Sequence, residues 1–211
     1  MSDDLRERDY RRVASEITRA PHGPKFAIGA DPLLSREYLS ELQPLETDGG
    51  PLALEKGTVA ALALFDTLER LPSPRAFFSE VCRVLVPGGL LVLSEPYVGP
   101  LSYPLYKLGS DTPVRLLADP LAHASESAAG SNQASATLLF GLHRASFERT
   151  FPELRVDKVE RTAGPEASGS STATSQLPSK LVRRLASVES LLPKAALSLF
   201  GFRMVVVLQK R

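Results

Sequence analysis

Residues 58–96 read TVAALALFDTLERLPSPRAFFSEVCRVLVPGGLLVLSEP, and this stretch decides the fold. Thr58–Phe65 is a continuous apolar run of strand length, the pattern of a strand covered on both faces. Pro72-Ser73-Pro74 opens a helix on which Phe77, Phe78, Val81, Val84 and Leu85 recur at helical spacing. Pro87-Gly88-Gly89 closes it, and Leu90–Ser94 is a second fully apolar strand. Strand, helix, glycine turn and strand form a βαβ unit, whose crossover requires parallel, right-handed pairing. Two buried parallel strands place the chain in the α/β class.

Working outward, residues 3–20 read as a helix with Leu5, Val13 and Ile17 on one stripe, Tyr10 able to join it, and Pro21-His22-Gly23-Pro24 ending it. Lys25–Ala30 is a short buried-strand pattern that turns at Asp31-Pro32, and Ser35–Leu42 is expected to be a short helix capped by Ser35. Gly49-Gly50-Pro51 breaks any element in 43–57. Beyond the central unit, 97–135 reads as mostly irregular with a short helix near Tyr103–Leu108, His143–Phe151 as a helix, and Leu154–Arg161 as a strand. The Ser-, Thr-, Ala- and Gly-rich segment 164–176 is expected to be a mobile loop, Lys180–Leu192 an amphipathic helix, and Phe202–Gln209 the final strand. The expected organisation is one domain: an N-terminal helix (1–24), a core (25–96) and a C-terminal half (97–211).

Composition narrows the function by exclusion. The 211 residues carry 25 basic and 24 acidic side chains, so no strong field recruits nucleic acid or an anionic membrane. The longest apolar runs are far too short to span a bilayer, and Met1–Glu7 leads into no apolar stretch, so a cytoplasmic location is expected. A single cysteine, Cys82, permits no internal disulfide, and His22, His123 and His143 have no metal-binding or triad spacing. The late helix sets Lys180, Arg183, Arg184 and Lys194 opposite Leu181, Leu185, Val188 and Leu192; packing on the sheet is a simpler reading than a membrane surface.

Leu64–Pro72 (LFDTLERLP), Phe77–Gly89 (FFSEVCRVLVPGG) and Leu90–Pro96 (LLVLSEP) together resemble the second half of a class I S-adenosylmethionine-dependent methyltransferase, of the type 11 kind. Asn132-Gln133 and Phe147–Leu154 resemble one bacterial subfamily. The resemblance covers roughly residues 25–160 and implies a three-layer sandwich around a mostly parallel, Rossmann-like sheet of seven strands. The last strand inserts antiparallel, a part that Phe202–Gln209 fits.

The cofactor half departs from that pattern. The family carries a Glu/Asp-x-Gly-x-Gly-x-Gly turn after the first strand, whose bare backbone approaches the cofactor and whose amides face its carboxylate. Ala27–Leu33 here keeps Gly29 alone, with Asp31 at the second glycine and Pro32, which lacks an N–H, after it. Two like charges 4 Å apart cost roughly 4 kcal/mol at an effective dielectric of 20, against about 8 kcal/mol for a whole micromolar ligand. In one register Gly29 lies in the degenerate glycine turn and Asp48 is the ribose carboxylate. In the other, Asp31 ends the second strand and holds the ribose, with Asp48 near the adenine. The first is preferred, because Leu34–Leu39 resembles the helix after the glycine turn. In either register about a dozen residues around the third strand are missing, so the sheet is expected to be shortened in its N-terminal half.

Ligands collect beyond the carboxyl ends of parallel strands. The residues to watch are therefore Gly29, Asp31, Asp48 and Asp66 for the cofactor, and Asp66 or Glu95 for catalysis. Each has a plain alternative. Asp48 suits an ordinary turn before two glycines, Asp66 a cap, Glu69-Arg70 an exposed charge pair, and Asn132-Gln133 a solvated loop. Cys82 falls on the buried stripe of its helix. Two functions are consistent with this sequence. The first is a methyltransferase-like protein that has lost efficient cofactor binding and acts as a binding, scaffold or regulatory subunit, with a protein partner or a second copy. The second is an active S-adenosylmethionine-dependent methyltransferase with an altered loop.

Overall fold

Strand β3 (Val59–Phe65) is buried along its whole length because its two faces enter two separate cores. Leu62 and Leu64 join Phe77 and Phe78 on one side, while Ala61, Ala63 and Phe65 meet Tyr10, Val13 and Ile17 on the other. Strands β4 (Leu85–Pro96) and β6 (Arg203–Lys210) alternate in the same way. The computed structural model, which describes residues 3–122, 131–162, 197–199 and 201–211, is thus a three-layer α/β sandwich. The expected loop at 164–176 and helix at 180–192 lie outside the described residues.

Among the described residues six strands form one sheet in the order β2-β1-β3-β4-β6-β5, with β1 at Lys25–Ile28, β2 at Gln43–Pro44 and β5 at Leu154–Thr162. Pairs β1–β2, β1–β3 and β3–β4 are parallel, and β6 runs antiparallel to both neighbours. The expected class and the inverted last strand are therefore observed, but the seventh strand is not found among the described residues. Segment 45–58 is too short for another strand plus the crossover of a dozen or more residues that a parallel partner needs.

Helix α1 (Asp3–Ile17) and helix α2 (Pro32–Tyr38) cover one face. On the other lie α3 (Pro74–Val84), a short turn α5 (Ser135–Thr137), the π-helical Leu138–Leu142 and α6 (Arg144–Thr150); α4 (Tyr103–Gly109) packs in a smaller third cluster. Helix α2 starts earlier than the sequence suggested. Asp31, not Ser35, is its cap, and Pro32 occupies the first turn, where a missing N–H costs nothing. Strand β4 also starts early, running through Pro87-Gly88-Gly89 instead of after it. Leu85 pairs with Val59 and Leu90 with Ala61, so the ladder absorbs the extra residues as an irregularity. A Cβ at Gly89 would lie 2.8 Å from the Val86 carbonyl oxygen, which explains the glycine there.

Phe78 sits at the centre of an aromatic cluster, with ring centroids 4.9 Å from Phe147, 5.6 Å from Phe77 and 5.7 Å from Phe151. Phe78→Ala is expected to lower the unfolding free energy by about 3–5 kcal/mol in urea titrations.

Candidate functional site

Strand β1 lies between β2 and β3, so the chain leaves β1 toward one side and resumes on the other. The carboxyl ends of β1 and β3 flank such a switch point, where an open α/β sheet leaves a crevice. This order matches the first register: the strand ending at Ile28 is inner and the one before Leu45 is outer. Gly29–Pro32, Glu46–Gly50, Asp66–Arg70 and Glu95-Pro96 all follow or end strands at this edge.

Gly29 has φ +71°, and a Cβ there would fall 2.2 Å from the Phe65 carbonyl oxygen and 2.3 Å from Thr67 Oγ1. Contact with the end of β3 demands the glycine. Two residues on, Asp31 Oδ1 accepts hydrogen bonds from the N–H groups of Leu33 (2.9 Å) and Leu34 (3.2 Å). The Asp31 N–H donates to the Tyr10 hydroxyl, and Arg6 stands 3.8 Å from Asp31 Oδ2. The Tyr10 ring stacks on Phe65 with centroids 4.3 Å apart, and burial pushes its hydroxyl up to about 12. Helix α1 therefore reaches into the bend. The space left between Arg6, Asp9, Tyr10, Gly29 and Asp66 is about 20 Å³, room for one water. Sequence reading put Tyr10 on the apolar stripe but missed that the turn before Val13 carries the groups that fill this space.

Behind the bend lies a buried ion cluster. Arg203, at the start of β6, donates from Nε to Asp9 Oδ2 (2.6 Å) and from Nη1 to Asp66 Oδ1 (2.8 Å). Its Nη2 reaches the Ser94 carbonyl (3.1 Å) and hydroxyl (3.0 Å). Burial alone would lower its pKa; Asp66 and Asp9 outweigh that and hold it above its ordinary value. Asp66 adopts φ +45°, a left-handed conformation that aspartate tolerates better than most residues. The candidate catalytic residue is thus committed to an ion pair and caps no helix among the described residues.

Glu95, the other catalytic candidate, is fully buried, and its Oε1 accepts from the N–H groups of Thr67 (3.0 Å) and Leu68 (3.1 Å). Burial, helped by the nearby Asp66 charge, pushes its carboxyl well above the usual range against those two hydrogen bonds. Two other expectations need correction. Glu69 is 1% exposed, so Glu69-Arg70 is not a surface charge pair, although Arg70 itself is exposed. Asn132 and Gln133 are buried rather than solvated. Asn132 brackets Arg115 through its N–H (3.0 Å) and carbonyl (3.1 Å), and Gln133 Oε1 accepts from the Ser110 hydroxyl (2.7 Å).

On the other side of Gly29 the edge is open. A cleft of about 390 Å³ lies between Ile28, Leu45, Glu46, Thr47, Asp48, Thr67, Arg70 and Leu71. Asp48 is a turn aspartate, with Oδ1 accepting from the Gly50 N–H (2.8 Å), and it also lines this cleft. Cys82 is buried as expected, His22 is exposed, and His123 lies outside the described residues. Among the described residues no cluster of His, Cys, Asp or Glu is arranged to hold a metal ion.

Residues 26–93 match the family model described as a methyltransferase domain. The chain carries the class I methyltransferase fold. Its structure is similar to that of a candidate sarcosine dimethylglycine methyltransferase from Galdieria sulphuraria, with a TM-score of 0.51, 12% identity, and coverage of 97% of this chain and 84% of the other. It is equally similar to the YcgJ protein of Bacillus subtilis, with a TM-score of 0.51, 10% identity, and coverage of 96% and 97%. A geranyl diphosphate methyltransferase in complex with S-adenosylmethionine aligns with a TM-score of 0.46 and 14% identity, over 97% of this chain and 85% of that one. At these identities the methyltransferase likeness is one of fold. No curated protein matches the chain in sequence.

Removing Arg203 takes the closest partner from the buried Asp9, which keeps Arg12 at 3.6 Å, and from the half-buried Asp66, and breaking such a cluster costs roughly 3–5 kcal/mol. Arg203→Met is expected to lose that much in urea titrations, and Arg203→Met with Asp9→Leu and Asp66→Asn to recover more than half. Glu95 gives a pH signature. Its folded pKa stands above the unfolded value, so the folded state holds the proton more tightly and stability falls as pH rises between the two. Glu95→Gln keeps both backbone contacts and is expected to flatten that fall in thermal melts taken as a pH series.

Proposed function

We propose that this methyltransferase-fold chain acts by binding and not by methyl transfer, because its own N-terminal helix occupies the amino-acid end of the cofactor cleft. The observation that carries this reading is the self-satisfied bend after β1. The donors that would face a ligand carboxylate are already used: the Asp31 N–H by the Tyr10 hydroxyl, and the Leu33 and Leu34 N–H groups by Asp31 Oδ1. Asp31 holds, from within the chain, the place of an external carboxylate.

The residues present do not fit the methionine portion of S-adenosylmethionine. A carboxylate arriving there would meet Asp31 and Asp9, and its bulk would meet Tyr10 where about 20 Å³ remains. Asp66 and Glu95 lack the setting of a general base. The first is held by Arg203, and the second is fully buried with its Oε1 taken by two backbone N–H groups. A scaffold or regulatory role, with a protein partner or a second copy of the chain, follows from the same reading.

A ligand supplied at a hundred times its Kd stabilises the folded state by about 2.7 kcal/mol, which shifts a melt by several degrees. Neither S-adenosylmethionine nor S-adenosylhomocysteine is expected to produce such a shift, or heat in titration calorimetry. Micromolar binding to the unaltered chain would overturn the proposal. In Tyr10→Ala with Asp31→Gly the plug and the internal acceptor are both gone, and cofactor heat is expected to appear.

A further inference from the structure

We infer that Arg161 and the apolar strip running onto α4 form a binding surface for a small carboxylic acid with an apolar body, of the medium-chain acyl class. The surface lies at the β5 end of the sheet, across β3, β4 and β6 from the cleft beside Asp48. It goes beyond the cofactor reading and does not depend on it. Arg161 is half-buried, with its guanidinium carbon 5.0 Å from the centroid of the Tyr97 ring. Its Nε is buried without a hydrogen-bond partner, and its side chain forms no ion pair among the described residues. A buried charged donor left unmet costs free energy, which an incoming acceptor relieves. The shelf beneath it is fixed. The Tyr97 hydroxyl donates to the Ser198 carbonyl (2.8 Å). A Cβ at Gly99 or Gly201 would stand 2.8 or 3.0 Å from the ring, so two stretches of backbone hold its edge. The guanidinium is therefore preorganised for a planar acceptor with two oxygens.

An apolar strip continues from that shelf. The Leu199 carbonyl, next in the chain to Ser198, accepts from the Leu101 N–H (3.3 Å), and the two leucines are 48% and 49% exposed. From Leu101 the strip follows α4. Leu101, Pro104 and Leu108 recur at helical spacing on the exposed side, Leu108 at 83%, while Ser102, Tyr106 and Gly109 form the buried side. Single exposed leucines need no explanation, but three gathered beside a cation without a counter-ion mark a ligand surface. Charge selects the head of the ligand. One guanidinium balances one negative charge, which fits a monoanionic carboxylate and leaves a dianionic phosphate in excess. The strip selects the body, because an acyl chain covers leucines that a bare carboxylate leaves in water.

The test is calorimetry on the full chain with octanoate, acetate, octanamide and inorganic phosphate, repeated on Arg161→Gln and Leu101→Ser. Octanoate is expected to bind at one site per chain. Octanamide has the tail without the charge and acetate the charge without the tail; each is expected to bind about tenfold more weakly or worse. Arg161→Gln is expected to weaken octanoate about tenfold or more, as loss of a charge-assisted hydrogen bond implies. Its melt is expected to stay level or rise, since a half-buried charge without a counter-ion is gone. Leu101→Ser is expected to weaken octanoate about threefold or more through lost apolar contact. No heat from octanoate would overturn the inference. So would octanamide or phosphate binding as tightly as octanoate, or either substitution leaving octanoate affinity unchanged. None of these outcomes touches the cofactor reading, which is tested with S-adenosylmethionine.

Discussion

The Arg203 guanidinium is the contact on which the carboxyl edge of this sheet depends. It joins helix α1 through Asp9, the end of β3 through Asp66 and strand β4 through Ser94. Desolvating an arginine costs several kcal/mol, and only close, multiply bonded partners offset that. The partner set is assembled by topology. Because β6 runs antiparallel, its first residue arrives at the edge where the parallel strands end. A parallel last strand would have put Arg203 at the opposite edge, among the strand starts. The cluster fixes Asp9, and with it the neighbouring Tyr10, against the bend after β1.

Two very different surfaces result on either side of Gly29. Toward α1 the edge is filled by stacked Tyr10 and Phe65 and by the internal cap of α2. Toward β2 it is open, because β2 is only two residues long and no further strand lies outside it among the described residues. Shortening the sheet and filling the bend act on one crevice in opposite senses. The first leaves the side toward β2 open, and the second fills the side toward α1.

What could be read from the sequence was what repeats along it. The runs Thr58–Phe65 and Leu90–Ser94 and the helical spacing of Phe77, Phe78 and Val81 fixed the class, and the inverted final strand followed from the family resemblance. Local competition was harder to read. Ser35 looks like a cap in isolation, yet Asp31 followed by proline is the stronger start. Glu69, Asn132 and Gln133 look like surface residues because charge and amide groups usually are. They are buried by contacts distant in sequence, such as Gln133 with Ser110. Periodicity carries no trace of such contacts. The fate of Asp66 belongs with these, since nothing near it in the chain announces an arginine 137 residues away.

In the proposed reading, the Asp31 cap and the approach of α1 reinforce each other energetically. A ligand carboxylate would have to displace an acceptor already tethered in place, which competes at high effective concentration. Unmaking the Asp31 cap costs about 1 kcal/mol, and withdrawing a buried side chain the size of Tyr10 about 1.5–3 kcal/mol more. Together these amount to a loss of roughly a hundred- to a thousandfold in affinity, before any repulsion from Asp31 is counted. A ligand confined to the other side of Gly29 displaces neither group. The structural distinction between the two sides of Gly29 is therefore also a thermodynamic one.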